Sequence, residues 1–150
     1  MPAPPLLGIL PNGKEFDLES RRGKWLVLVF YRSASCGLCI QQLEHLERDK
    51  EAYDHLGVEV LAVTADPPAT NEWVTEEYDL GFPIISVDRE TLAEWGVWQP
   101  DERRPRPAAF IIDERGEILY HQIGETAADR ASDATLVFAI RALEASSKGR

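Results

Sequence analysis

One segment constrains this chain more than any other: Trp25-Leu-Val-Leu-Val-Phe-Tyr31, an apolar run without polar alternation, followed within one short loop by Cys36-Gly37-Leu38-Cys39. A run so short, and so rich in β-branched and aromatic residues, predicts a strand buried on both faces. Such a strand belongs in the middle of a sheet that carries helices on either side. The loop Arg32-Ser33-Ala34-Ser35 then delivers Cys36 to the start of a helix. From Cys39 onward Leu43, Leu46 and Leu56 recur near helical spacing, and Gly57 stands at the C-terminal cap position, so one amphipathic helix is predicted. Free backbone N–H groups and the helix dipole favour an anion at that helix start. The Cys36 thiolate therefore forms at lower pH than that of a free cysteine, with Arg32 near in sequence to add to the effect. A thiolate is the attacking species in disulfide exchange, and Cys39, one helical turn on, is spaced to resolve the mixed disulfide that results.

The remaining elements fit the same sheet. Asn12-Gly13 accepts the positive φ angles of a tight turn and predicts an N-terminal hairpin within Leu6 to Leu18. Val58 to Thr64 is a second strand, and strand, helix, strand in this order predicts a parallel pair joined by a crossover. Asp66-Pro67-Pro68 opens a helix through about Leu80, Phe82 to Ile85 is a short strand, and Asp88 caps a brief helix reaching Trp95. Gln99 to Pro107, rich in Pro, Arg and acids, reads as a loop. Ala108 to Ile112 and Ile118 to Ile123 form a hairpin around Asp113-Glu114-Arg115-Gly116, and a last helix covers Asp133 to Ala145. The fold class is α/β: a central mixed sheet, helices on both faces and an N-terminal β-hairpin.

With 150 residues and neither a repeat nor a linker-like stretch, residues 1–150 read as one domain, of which 146–150 form a disordered polar tail. Asp and Glu number 26 against 16 Lys and Arg, and the net charge of -10 repels phosphate backbones and anionic lipid surfaces. Neither nucleic acid nor a membrane is expected as a partner. Met1 to Gly8 lacks the basic region and longer apolar stretch of a secretory signal, and the apolar runs are too short to span a bilayer, so the expected location is cytoplasmic. The two cysteines stand too close together to staple distant segments. In a reducing compartment such a pair indicates redox cycling or a metal.

Three other readings of these residues stay open. The pair could be half of a zinc site, although no second Cys pair exists and His45, His55 and His121 have no recognised ligand spacing. It could bind a soft ion such as Cu(I) in a carrier, or be structural and buried. Arg103, Arg104 and Arg106 cluster just before Pro107 and read as a solvated loop, with contact of Arg106 to the active site as the alternative. Trp73, Trp95 and Trp98 read as core or groove-lining aromatics.

The run from Gly23 through Tyr31-Arg32 into Cys36-Gly-Leu-Cys39, then Val60-Leu-Ala-Val-Thr-Ala-Asp66, Gly96-Val97 and Pro107-Ala-Ala-Phe-Ile-Ile-Asp113-Glu-Arg-Gly116, resembles the alkyl hydroperoxide reductase/thiol-specific antioxidant family. The likeness extends over residues 6 to 125. It implies a thioredoxin fold and a thiol-dependent oxidoreductase that uses no metal or organic cofactor. It also implies a disulfide or peroxide substrate and a reducing partner such as a thioredoxin/reductase system or a small thiol. Set against peroxiredoxins, Arg32 stands where the family has proline, Cys36 where it has threonine or serine, and Cys39 on the peroxide-attacking cysteine, while the family's arginine falls on Pro107. Set against thioredoxin-like reductases, Cys36 and Cys39 both match, Pro107 falls on the cis-proline beside the disulfide, and Ser35 replaces the Trp that often precedes the first cysteine. The resemblance therefore implies Cys36 and Cys39 as catalytic, with Arg32, Ser35, Arg106 and Pro107 around the substrate groove. Disulfide exchange with Cys36 attacking is the first reading, and peroxide reduction with Cys39 attacking and Cys36 resolving is the second.

Overall fold

In the computed structural model, which describes residues 1–126 and 128–148, the Asn12-Gly13 turn folds strand β1 (Leu7–Ile9) onto β2 (Glu15–Asp17), with Gly13 at a φ of 85°. These two form the expected N-terminal hairpin. Strand β3 (Trp25–Phe30) is followed by helices α1 (Gly37–Arg48) and α2 (Lys50–His55), then β4 (Val58–Thr64) and α3 (Pro68–Glu77). Next come β5 (Ile84–Ser86), α4 (Arg89–Glu94), and the two-residue strands β6 (Trp98–Gln99) and β7 (Arg104–Pro105). Strands β8 (Ala108–Ile112) and β9 (Ile118–Ile123) and helix α5 (Asp133–Lys148) complete the chain.

Seven strands form one sheet in the order β2-β1-β5-β4-β3-β8-β9. The β3–β4 and β4–β5 pairs are parallel, while β1–β5, β3–β8 and β8–β9 are antiparallel, which makes the sheet mixed. β3 lies between β4 and β8, as its unbroken apolar run requires. Its residues, with Tyr31 immediately after it, divide between two cores by the alternation of a strand. Val27, Val29 and Tyr31 pack with Cys39, Leu43, Leu46 and Leu136 on one side, whereas Leu26, Leu28 and Phe30 pack with Leu92, Trp95 and Phe110 on the other. Gly8 is needed where β1 meets β5: a Cβ there would lie 2.5 Å from Ile85 Cγ2 and 2.6 Å from the Ser86 carbonyl.

Several expectations are corrected. The single helix predicted to start at Cys36 and reach Leu56 does start there, with Cys36 as N-cap, but it breaks at Asp49, which leaves helical geometry with φ -98° and ψ 8°. The Asp49 carboxyl meets the guanidinium of its neighbour Arg48 at 2.8 Å and, from a distant segment, the side chain of Asp133. The loop from Gln99 to Pro107 contains a small antiparallel ribbon, β6 on β7. Helix α5 runs through residues 146–148, where the polar composition predicts a disordered tail, and residues 149 and 150 of that tail lie outside the described residues. Trp95 is a core residue as expected, but Trp73 is exposed and stands edge-on to Tyr78. Among the described residues no helix is long and apolar enough to cross a membrane.

Candidate active site

The end of β3 and the start of α1 hold the two thiols. Cys36 is the N-cap of α1, with its carbonyl accepting from the Ile40 N–H at 3.1 Å and its own N–H donated to the Ser33 carbonyl at 3.2 Å. Its side chain is partly exposed and no disulfide is present. Cys39, one turn further, is fully buried against Val29 and Tyr31.

Their titrations are driven apart. Partial burial pushes the Cys36 thiol up, but hydrogen bonds from the Cys39 side chain and the Cys39 and Leu38 N–H groups, with the charge of Arg130, outweigh it and hold Cys36 below an ordinary cysteine. Burial also pushes Cys39 up, and hydrogen bonding with the Cys36 side chain adds to the rise. Arg130 and the Arg32 and Ser33 N–H groups only partly oppose it. The sulfur that loses its proton more readily is therefore the accessible one, as the helix-start position predicts.

The cation at the site is not the expected one. Arg32 sends its guanidinium away, to Glu102 in the β6–β7 ribbon, and only its backbone N–H reaches the dithiol, at 3.4 Å from Cys39 Sγ. Arg130, in the segment before α5, takes the place assigned to it. Its Nη2 lies 3.6 Å from Cys39 Sγ, and its Nη1 donates to the Leu38 carbonyl at 3.1 Å and to Gln42 Oε1 at 2.8 Å. Arg130 comes from 91 positions beyond Cys39, so no local spacing reveals it. Gln42 does leave a signal, as a polar residue three positions after Cys39 on the buried side of α1.

A second group missed at first is Asp66, which follows β4 beneath the cysteine loop. Its Oδ2 accepts the Ala34 N–H at 2.8 Å, and its carbonyl accepts the Ser86 hydroxyl at 2.7 Å. Burial pushes the Asp66 carboxyl up, against the pull of the Ala34 N–H, and Asp66 with Cys39 helps to keep the buried Tyr31 phenol neutral. The loop that presents Cys36 is thus tied to the end of a central strand.

The other expected site residues are placed as follows. Ser35 is exposed and shares a 2.8 Å hydrogen bond with Ser33. Pro107 is buried at the start of β8, and its carbonyl accepts the Gly124 N–H at 2.7 Å. The peptide bond before Pro107 is trans, which corrects the match to a cis-proline. Arg106 pairs with Glu125 at 3.3 Å and donates its N–H to the Val97 carbonyl at 2.6 Å. Of the histidines, His121 stacks on Phe110 and His55 faces Glu51, while His45 lines a cleft of about 410 Å³ beside Leu38 that Gln42, Arg48, Arg130 and Asp133 share. Among the described residues no group of three or more His, Cys, Asp or Glu side chains is placed to hold a metal ion.

Residues 2–121 match the AhpC/TSA family. The chain is 31% identical over 111 residues to the thiol-disulfide oxidoreductase ResA of Halalkalibacterium halodurans, a match covering 72% of this chain and 58% of that relative. It is 29% identical over 130 residues to a putative peroxiredoxin in the rubredoxin operon of Clostridium pasteurianum, covering 81% of this chain and 73% of the relative. Enterococcus faecalis AhpC superposes with a TM-score of 0.89 over 99% of this chain and 93% of that one at 18% identity, a likeness of fold.

Proposed function

The chain belongs to the AhpC/TSA family, as a thiol-dependent oxidoreductase of thioredoxin-like fold, and we propose that its reaction is thiol–disulfide exchange with Cys36 as nucleophile and Cys39 as resolving thiol. The observation that carries this reading is the division of labour between the sulfurs. Cys36 is accessible and favoured as thiolate at the N-cap of α1, whereas Cys39 is sealed and favoured as thiol. The Cys36 thiolate attacks one sulfur of a substrate disulfide, expelling the other as thiolate and forming a mixed disulfide. Cys39 then loses its proton and attacks Cys36, releasing the second substrate thiolate and leaving the Cys36–Cys39 disulfide. Two electrons have passed to the substrate, and a dithiol or small-thiol reductant returns them.

Arg130 supports a second reading. A guanidinium and a backbone N–H both point at Cys39, an arrangement that also suits a thiolate attacking a hydroperoxide there. In that reaction Cys39 becomes a sulfenic acid as the peroxide O–O bond breaks to give an alcohol or water, and Cys36 condenses with it, losing water. Single-cysteine variants separate the two. Under exchange, Cys39→Ser accumulates a mixed disulfide with substrate and Cys36→Ser is inert. Stoichiometric sulfenic acid in Cys36→Ser at micromolar peroxide, with no adduct on Cys39→Ser, would replace the exchange reading by the peroxide one.

A further inference from the structure

Of the four tryptophans only Trp73, on α3, is exposed, with 54% of its surface in water. Ala69, Glu72, Trp73, Glu76 and Glu77 are all exposed and recur at the spacing of one helix face, while Asn71 and Val74 turn inward. The indole is nevertheless held in place, because it meets Tyr78 edge-on with 6.3 Å between ring centroids. A large aromatic fixed in solvent is the type of residue that carries binding energy at an interface. Its neighbours define what the partner must bring. Between Lys50 and Arg89 the chain has nine acidic residues and no lysine or arginine. The flanking cations are engaged elsewhere: Arg48 pairs with Asp49, Arg89 pairs with Glu90, and Lys50 stands with Glu47 against Gly81. A lysine or arginine arriving from outside would meet the negative face of the indole and the glutamates together. A symmetric pair of these chains would instead set the same glutamates against each other, so a second copy does not fit.

The face starts at the dithiol loop. Asp66, two residues before α3, accepts the Ala34 N–H at 2.8 Å, and Asn71 donates to the Asp66 carbonyl at 3.4 Å and accepts from the Tyr31 hydroxyl at 3.5 Å. Pro67 and Ala69 are exposed between that loop and Trp73. At 1.5 Å per residue, Trp73 stands about 8 Å along the axis from the first residue of α3. A partner footprint of standard size, about 800 Å², is about 30 Å across and spans both Trp73 and the loop that presents Cys36.

We propose that the outward face of α3, Trp73 with Glu72, Glu76 and Glu77 around it, is a docking surface for a protein partner that presents a segment rich in lysine or arginine. On the exchange reading above, on which this second step rests, the docked segment carries the disulfide that Cys36 attacks. Cys36 bonds to one sulfur of it, the other sulfur leaves as thiolate, and Cys39 completes the exchange as before.

The first probe is an acetylated, amidated eight-residue peptide of alternating lysine and alanine, with its glutamate counterpart as control, titrated into the intact protein at low ionic strength. The indole N–H signals are followed by NMR. The Trp73 signal, identified by its loss in Trp73→Phe, shifts with the lysine peptide alone, and the shift fades by about 0.5 M salt. The Trp95 indole, which donates internally to the Pro5 carbonyl at 3.2 Å, stays in place. By anisotropy of the labelled lysine peptide, Trp73→Ala weakens binding about tenfold and combined Glu72→Gln, Glu76→Gln and Glu77→Gln about fivefold. Removing three exposed acids elsewhere, with Glu15→Gln, Glu94→Gln and Asp101→Asn, changes it less than about twofold. The second probe is the same peptide with a C-terminal cysteine joined by a disulfide to thionitrobenzoate, beside one with serine in place of lysine. The reduced protein releases thionitrobenzoate about tenfold faster from the lysine peptide, and Trp73→Ala loses that preference while the serine peptide's rate is unchanged. A Trp73 signal that does not move, an equal loss of binding when the distant acids are removed, or a Trp73-dependent dimer in sedimentation without peptide overturns the docking surface. Binding at Trp73 without a lysine preference in release upholds the surface and overturns the delivery of the disulfide by it. Release from neither peptide overturns the exchange reading, and the binding results alone then decide the surface.

Discussion

Removing the Arg130 guanidinium tests the electrostatics of the dithiol directly. In Arg130→Met the charge 3.6 Å from Cys39 Sγ disappears while the aliphatic stem that fills the space beside α1 is largely kept. Even with the full dielectric screening of water, a charge pair at that distance is worth about 1.2 kcal/mol. The monoanion's charge sits mainly on Cys36 rather than Cys39, so the dithiol loses on the order of that much or less, up to about sevenfold less thiolate at a pH below its titration. The sign follows from the direction of the effect: Arg130 lowers the Cys36 titration, so its removal raises it. The deficit appears on the acid side and vanishes where both proteins are fully ionised. Iodoacetamide alkylation of the reduced protein, followed by mass spectrometry at Cys36 across a pH series, measures this shift, and Arg130→Lys restores part of the rate through charge alone. Superimposable alkylation profiles for Arg130→Met and the wild type would refute the assignment of Arg130 as the cation of the site.

Two predictions concern the frame. Burial, with the neighbouring Asp49, pushes the Asp133 carboxyl up to about 6, so the folded protein binds this proton more tightly than the unfolded chain does. The stability it contributes is present below the unfolded value near 4 and is lost as the pH rises through 6. Asp133→Asn supplies the missing N–H permanently and still accepts from Tyr53, so it should recover about 1 kcal/mol at pH 7 after allowance for solvent screening. Thermal unfolding between pH 4 and 7 reads the effect, and a wild-type and variant difference that does not change with pH counts against it. Gly8→Ala drives a methyl into Ile85 and the Ser86 carbonyl and should cost about 1–3 kcal/mol in urea unfolding. A loss below about 0.5 kcal/mol would mean that β1 shifts freely against β5.

The sheet was legible because its signals are local. The run in β3 has no amphipathic alternative, Asn12-Gly13 specifies a hairpin turn, and Asp88 does cap α4, accepting the Thr91 N–H at 2.9 Å. The placement of Cys36 and Cys39 followed from the same strand-to-helix reading. What escaped depends on contacts between distant segments. At the break the Asp49 side chain meets Asp133, 84 positions on, and helical periodicity continues across it. The β6–β7 ribbon pairs only two residues on each side, too few to leave a pattern. Arg32 is near the cysteines in sequence but is drawn off by Glu102, while Arg130 is remote in sequence and near in space. Proximity along the chain misassigned the cation, and no reading of single segments could have corrected it.

The alternation of β3 places one six-residue strand under two separate evolutionary regimes. Changes at Leu26, Leu28 or Phe30 are felt by Trp95 and Phe110 and can be compensated there without moving a sulfur, so that side of the sheet can drift as the lineage adapts to temperature or to new surface partners. Changes at Val27 or Val29, or at Tyr31 just past the strand, are transmitted to Cys39, with which they share a core, and any accommodation shifts that buried thiol. Substitutions tolerated during descent should therefore accumulate at every second residue of β3, with the redox chemistry acting as the brake on the others.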